Sequence, residues 1–223
     1  PSFFFSRIRL HTRYWSDACS DLWCCVHRTL AGSFMNTQST LVGGGNALTM
    51  IGAADIDAAF AGIKNLSISA ASDIGANVMT SGSQTYGGTV TVSAAATLTT
   101  SDSAVTFNDA VVLNQALTVN TGAGAGHISI AGAVDGAYSL VLSAGAGNVV
   151  LGDAVGANTA LASIAVTGAN IALHDVRTGA AGAQTYTATS GIETNSSYHS
   201  AGGAITFNGN LTLNDHLVID TTD

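Results

Sequence analysis

The chain has 223 residues, of which 9% are charged and 47% apolar, with one proline and a formal net charge of −8. About a quarter of the residues in a typical soluble domain are charged; so apolar a composition excludes a disordered chain, and the 26 glycines lack the strict period of a collagen. No apolar run approaches the ~20 residues of a membrane-spanning helix, and the acidic balance argues against a nucleic-acid partner.

Residues 1–40 differ from the rest. They hold all three cysteines (Cys19, Cys24, Cys25), both tryptophans and four of the six basic residues. Phe3-Phe4-Phe5 is too short for the apolar core of a signal peptide, and Arg7 and Arg9 break the apolar character of the next residues. The C-x4-C-C spacing is not a usual zinc pattern, and the adjacent pair Cys24-Cys25 is poorly placed to bridge itself. Without helical or strand periodicity, this segment reads as an atypical leader outside the fold, with Met35 a candidate start. The body, 41–223, carries two basic residues against twelve acids, a net charge of −10, and no cysteine. Its stability must therefore come from burial and backbone pairing rather than disulfides.

Along the body the elements are short and extended. Ala53 to Ile63 is the only stretch with a helical flavour, and it reads equally as another strand pair. Beyond it, Leu117/Val119, Ile128/Ile130, Leu140/Leu142, Ile164/Val166, Ile171/Leu173 and Leu217/Ile219 alternate with polar or small residues. That period of two marks half-buried strands. Asp135-Gly136, Asn208-Gly209 and the runs Gly122–Gly126 and Gly145–Gly147 supply turns, because glycine and Asn/Asp tolerate positive φ.

The sequence repeats. Residues 82–121 match 182–221 at 13 of 40 positions without a gap, where this composition gives roughly 3 or 4 by chance. Gly82-Ser83-Gln84-Thr85-Tyr86 returns as Gly182-Ala183-Gln184-Thr185-Tyr186, and Val105-Thr106-Phe107-Asn108 as Ile205-Thr206-Phe207-Asn208. A shorter period lies inside: the pattern of Val105–Val111 recurs in Ile128–Val134 and Val149–Val155, 23 and 21 residues on. Short strands at a period of about 22 predict a parallel β-solenoid of about eight coils, each burying its inner face against its neighbours. The alternative is an array of tandem β-sandwiches, one per 100-residue repeat.

The blocks Gln84-Thr85-Tyr86, Val105-Thr106-Phe107-Asn108, Leu117-Thr118-Val119-Asn120, Val149–Val155 and Leu161–Ala169 resemble the β-strand repeats of large bacterial surface exoproteins, the filamentous-haemagglutinin-like and autotransporter-adhesin group. The resemblance covers residues 46–223. It implies a stalk segment, extracellular or held at the outer membrane, that serves adhesion through a host or cell-surface ligand such as a glycan. It implies no catalytic residues. Residues 1–40 do not look like that group's secretion region. With the chain ending in mid-pattern at Thr221-Thr222-Asp223, the expectation is an internal piece of a longer protein.

Among chemical alternatives, His174-Asp175 and Asp215-His216 are neighbours in sequence only, with no G-x-S-x-G elbow for a nucleophile. His127, His174 and His216 read as solvated positions. Asp109, Asp135 and Asp153 follow strand motifs. Stacked on one edge, they would suit a β-helical carbohydrate-active enzyme or a calcium column, but each also suits a turn that bonds its own backbone. Gly43-Gly44-Gly45-Asn46 lacks the aspartate of a calcium nonapeptide. Lys64 has no phosphate loop around it, and Gly122–Gly126 is followed by His127 where a dinucleotide loop needs glycine. A threonine face for ice or crystalline polysaccharide has the right alternation in Thr97-Leu98-Thr99-Thr100 and Thr185-Tyr186-Thr187, but these threonines do not recur at every rung. Tyr86 and Tyr186, sharing a repeat position, read as packing residues. The expected function is therefore a non-catalytic, adhesive structural segment without metal or cofactor. Its last strands, near Leu217 and Ile219, favour edge-to-edge association.

Overall fold

Residues that alternate apolar and polar every two positions bury one side of a strand and solvate the other. Three such strands joined by tight corners make a coil with a dry interior. A computed structural model of the chain describes residues 8–9, 28–37, 40–194 and 196–222. Among these there is no helix, and every strand pairing is parallel. The fold is an all-β parallel solenoid, not a string of sandwiches. Ala53–Ile63 belongs to the strands Leu48–Ile56 and Phe60–Ile63.

Each coil contributes one strand to each of three faces. Face A stacks Leu48–Met50, Leu66–Ile68, Gln84–Tyr86, Val105–Phe107, Ile128–Ile130 and Val149–Leu151 in register. It then takes the second half of Ser163–Leu173, the second half of Gln184–Thr194, and finally Leu211–Leu213. Face B runs from Ala54–Ile56 through Ser72–Ile74, Val90–Val92, Val111–Leu113 and Val134–Asp135. It continues through the bridges at Val155 and Val176 to Tyr198 and Ile219. Face C stacks Phe60–Ile63, Val78–Thr80, Ala96–Thr99, Leu117–Asn120, Ser139–Ser143, Ser163–Thr167, Gln184–Thr187 and Ile205–Asn208. Nine coils thus follow one another between Leu48 and Ile219, one more than the sequence period implied.

The coil length is not uniform. Leu48, Leu66 and Gln84 are partners at steps of 18 residues, so the first coils are shorter than the predicted period. Later strand-to-strand steps run from 19 to 24, the shortest being Ile192 to Leu211 and the longest Leu140 to Ile164. The extra residues sit in corners, such as Thr121–His127 and Gly156–Ala162, and leave the strands in register. The short repeat seen in sequence is one coil: Val105, Ile128 and Val149 are successive partners, as are Val111, Val134 and Val155.

Of the segment 1–40, strand Arg28–Thr37 pairs with Leu48–Ile56 and Ile8–Arg9 pairs with Met35–Asn36. The cysteines Cys19, Cys24 and Cys25 lie outside the described residues.

The interior is a continuous column of Val, Ile, Leu and buried aromatic side chains. Burying each such side chain is worth about 1.5–3 kcal/mol, and no coil could achieve this alone. In the last coil Leu211, Leu213, Val218 and Ile219 are 37–52% exposed, and among the described residues their strands pair on one side only.

Candidate functional site

The long repeat turns out to encode a buried corner. Gln84 and Gln184 are both fully buried. The Gln84 Nε2 donates to Val78 O at 3.2 Å, Thr80 Oγ1 at 3.2 Å and Thr99 O at 2.9 Å, while its Oε1 accepts the Tyr86 hydroxyl at 2.9 Å. Gln184 does the same with Val176 O, Thr178 Oγ1, His199 O and the Tyr186 hydroxyl. One coil later, Phe107 stacks on Tyr86 and Phe207 on Tyr186, each at 5.1 Å between centroids. Yet Gln84 stands on face A and Gln184 on face C. The displacement of 100 residues is four coils and two faces.

A second part of the repeat closes the corners. The Thr100 Oγ1 donates to Ser103 O and Thr121 Oγ1 to Gly126 O between faces C and A; Ser200 Oγ donates to Gly203 O between B and C. These hydroxyls are buried, and each satisfies a corner carbonyl that would otherwise be orphaned inside the coil. Burial also pushes the Tyr86 and Tyr186 hydroxyls well up from the ordinary tyrosine range, and that of Tyr198 to about 12. Tyr86 and Tyr186 pack in the interior, as their shared repeat position implied, and Tyr198, where the earlier copy has Leu98, is buried against Tyr186.

The acids named from sequence do not gather. Asp109 and Asp153 share the corner between faces A and B but sit two coils apart, with Gly132 between them in the stack. Each accepts the N–H of the residue after it, Ala110 and Ala154. Asp135 instead ends a face B strand, where its Oδ1 accepts the N–H groups of Asn158 and Thr159 in the next coil. Burial alone would raise its pKa; the Thr159 and Asn158 donors outweigh that and hold it below the usual carboxylate range. Among the described residues no three His, Cys, Asp or Glu side chains are placed to share a metal ion.

The histidines are separate too. His127 Nδ1 accepts the Asn148 N–H at 2.8 Å, and the His216 N–H donates to Asp215 Oδ1. His199, which no sequence motif marked, meets Asp220 at 3.1 Å on face B. The run Gly122–Gly126 is a corner tied at Asn120 Oδ1, Asp102 Oδ1 and Thr121 Oγ1, rather than a loose turn.

What the faces present outward differs. Face B carries Asp55, Asp73, Asp135, Arg177 and Asp220, and face A carries Glu193. The face C stretches contain no charged residue. The outward side of face C is a double column. Thr97, Thr118, Val141, Ala165, Thr185 and Thr206 are successive partners, and beside them so are Thr99, Asn120, Ser143, Thr167, Thr187 and Asn208. Both threonine stretches singled out in the sequence therefore lie on one face.

No family profile, curated protein or solved structure matches this chain.

Proposed function

We propose that this chain is a non-catalytic stalk segment of a secreted or surface-attached bacterial exoprotein, resembling the filamentous-haemagglutinin-like repeats, whose role is to extend and present an adhesive surface. The observation that carries this reading is the unbroken axial stacking of nine coils, with backbone bonds running along the axis from coil to coil. Load applied along such an axis is shared over three ladders at once. The acids and histidines described above are engaged in corner, turn and strand-end bonds, which supports a structural role over a glycan-processing one. The partner expected on this reading is a host or cell-surface ligand, including glycans.

Two experiments test it. Immunogold labelling of intact cells with antibody to residues 41–223 should decorate the cell surface; label confined to permeabilised cells would sink the proposal. Light scattering of the purified chain should show concentration-dependent association through the exposed final strands, and a strict monomer at high concentration would remove the edge-to-edge part.

A further inference from the structure

We infer that face C, independently of any stalk role, binds crystalline water, acting as a flat template for an ice surface. Four observations converge on it.

First, the array is regular. From Thr97 to Thr206 the partners on this face follow one another over six coils, and the single register shift lies past Gly168, at the corner. Parallel strands lie about 4.8 Å apart and residues two apart along a strand about 6.6 Å. The outward groups therefore form a rectangular grid about 24 Å long and about 6.6 Å wide. Those spacings are close to the oxygen rows of a prism plane of hexagonal ice.

Second, the groups are chemically mixed in the way an ice contact needs. Threonine offers a methyl that orders a water cage and a hydroxyl that enters the lattice, and Val141 and Ala165 keep the methyl surface where the hydroxyl lapses. Among the described residues the hydroxyls of Thr99, Thr118, Thr167 and Thr185 take no protein hydrogen bond, whereas the buried Thr100 and Thr121 hydroxyls are each committed to a carbonyl. The hydroxyls of those four threonines are open to solvent, while Thr187 Oγ1 accepts from Asn208 Nδ2 and Asn120 Oδ1 from the Gly122 N–H.

Third, charge selects the occupant. Two bases and twelve acids are spread over the body, yet none falls in the face C stretches. A neutral lattice fits such a face, and ions that would order water around themselves are kept off it. A crystalline sugar chain would stack on a row of aromatic rings; Tyr86, Tyr186 and Tyr198 are buried, and Tyr138, 37% exposed just before the strand Ser139–Ser143, is a single ring rather than a row.

Fourth, the repeat does not produce the array by copying. Displacement by 100 residues carries face C onto face B, turning Thr99 into His199 and Asn120 into Asp220. The last two strands of face C descend instead from face A positions, Thr85 becoming Thr185 and Thr106 becoming Thr206. A neutral face built from two different parental faces is a property of the face itself.

The test is ice microscopy on the full 223-residue chain, read as faceting of a single crystal at slight supercooling and as slowed recrystallisation. The wild type should facet ice. Thr118→Lys, placed mid-array, should abolish faceting, and so should the neutral Thr118→Tyr, which retains strand propensity. Thr106→Lys on face A should leave it intact, and circular dichroism should show all three variants folded. Round, unfaceted crystals with the wild type overturn the inference. So does equal loss in the face A variant, or binding of the wild type to crystalline cellulose or chitin that Thr118→Lys removes while ice is unaffected.

Discussion

Replacing Gln84 by leucine probes the element that the repeat preserves. The side chain is fully buried and makes four hydrogen bonds. Leucine keeps most of the volume, so the cavity contribution is small. The loss is polar. The Tyr86 hydroxyl, held at 2.9 Å, and the Thr99 carbonyl, held at 2.9 Å, both lose this partner at the dry interior. Stranding one buried polar group costs about 1–3 kcal/mol, so Gln84→Leu should cost about 2–5 kcal/mol. Adding Tyr86→Phe removes one orphan, so the double variant should be more stable than the sum of the single changes by about 1–2 kcal/mol. Native-state hydrogen exchange is the suitable assay, because a solenoid loses protection coil by coil. Protection should fall around the coils that hold Val78, Gln84 and Phe107 and persist near Ile171. The same pair of changes at Gln184 and Tyr186 should give the same coupling on a different face. Strict additivity at both sites, or a Gln84→Leu variant as protected as the wild type, would refute the buried-orphan account.

Gly136 has a φ of +130°, and a Cβ there would run into Leu113 O. Gly136→Ala should therefore destabilise by about 3 kcal/mol, measured by urea denaturation. Thr121→Val strands the Gly126 carbonyl and should cost about 1–3 kcal/mol; Thr106→Val on the outward side should stay within about 0.5 kcal/mol, and thermal melts compare the two. Buried Tyr86, Tyr186 and Tyr198 hold their protons above the ordinary tyrosine range, so their contribution is complete below pH ~10 and declines as pH rises beyond it. Alkaline titration should then show their phenolate absorbance appearing together with loss of circular dichroism, not before it.

The strand pattern was readable because inward and outward residues alternate wherever a strand half-buries itself: Leu117 and Val119, or Ile164 and Val166, face the interior as expected. The 22-residue motif was readable because equivalent valines truly stack. What alternation cannot say is which of three similar faces a strand occupies. Thr97 and Thr185 looked isolated in sequence because corners of unequal length separate them, and only the register brings them onto one plane. The corner glutamine also escaped notice. A polar residue in an apolar pattern reads as outward, and nothing local reveals that Tyr86 two positions on returns its hydroxyl to it. Asp109 and Asp153 do share an edge, as their common motif hinted, but Gly132 stands between them and each bonds the N–H that follows it, the turn chemistry their positions suggested.

The displacement of four coils and two faces makes the long repeat a screw operation rather than a translation. A duplicated unit lands one third of a revolution away from its parent, so the Gln–Tyr–Phe set reassembles inside while the exterior meets a new azimuth, and buried Leu98 gives way to buried Tyr198. The buried polar corner is inherited, and surface chemistry is released from the inheritance. His199 and Asp220, standing where the earlier copy has Thr99 and Asn120, are what that release looks like after divergence.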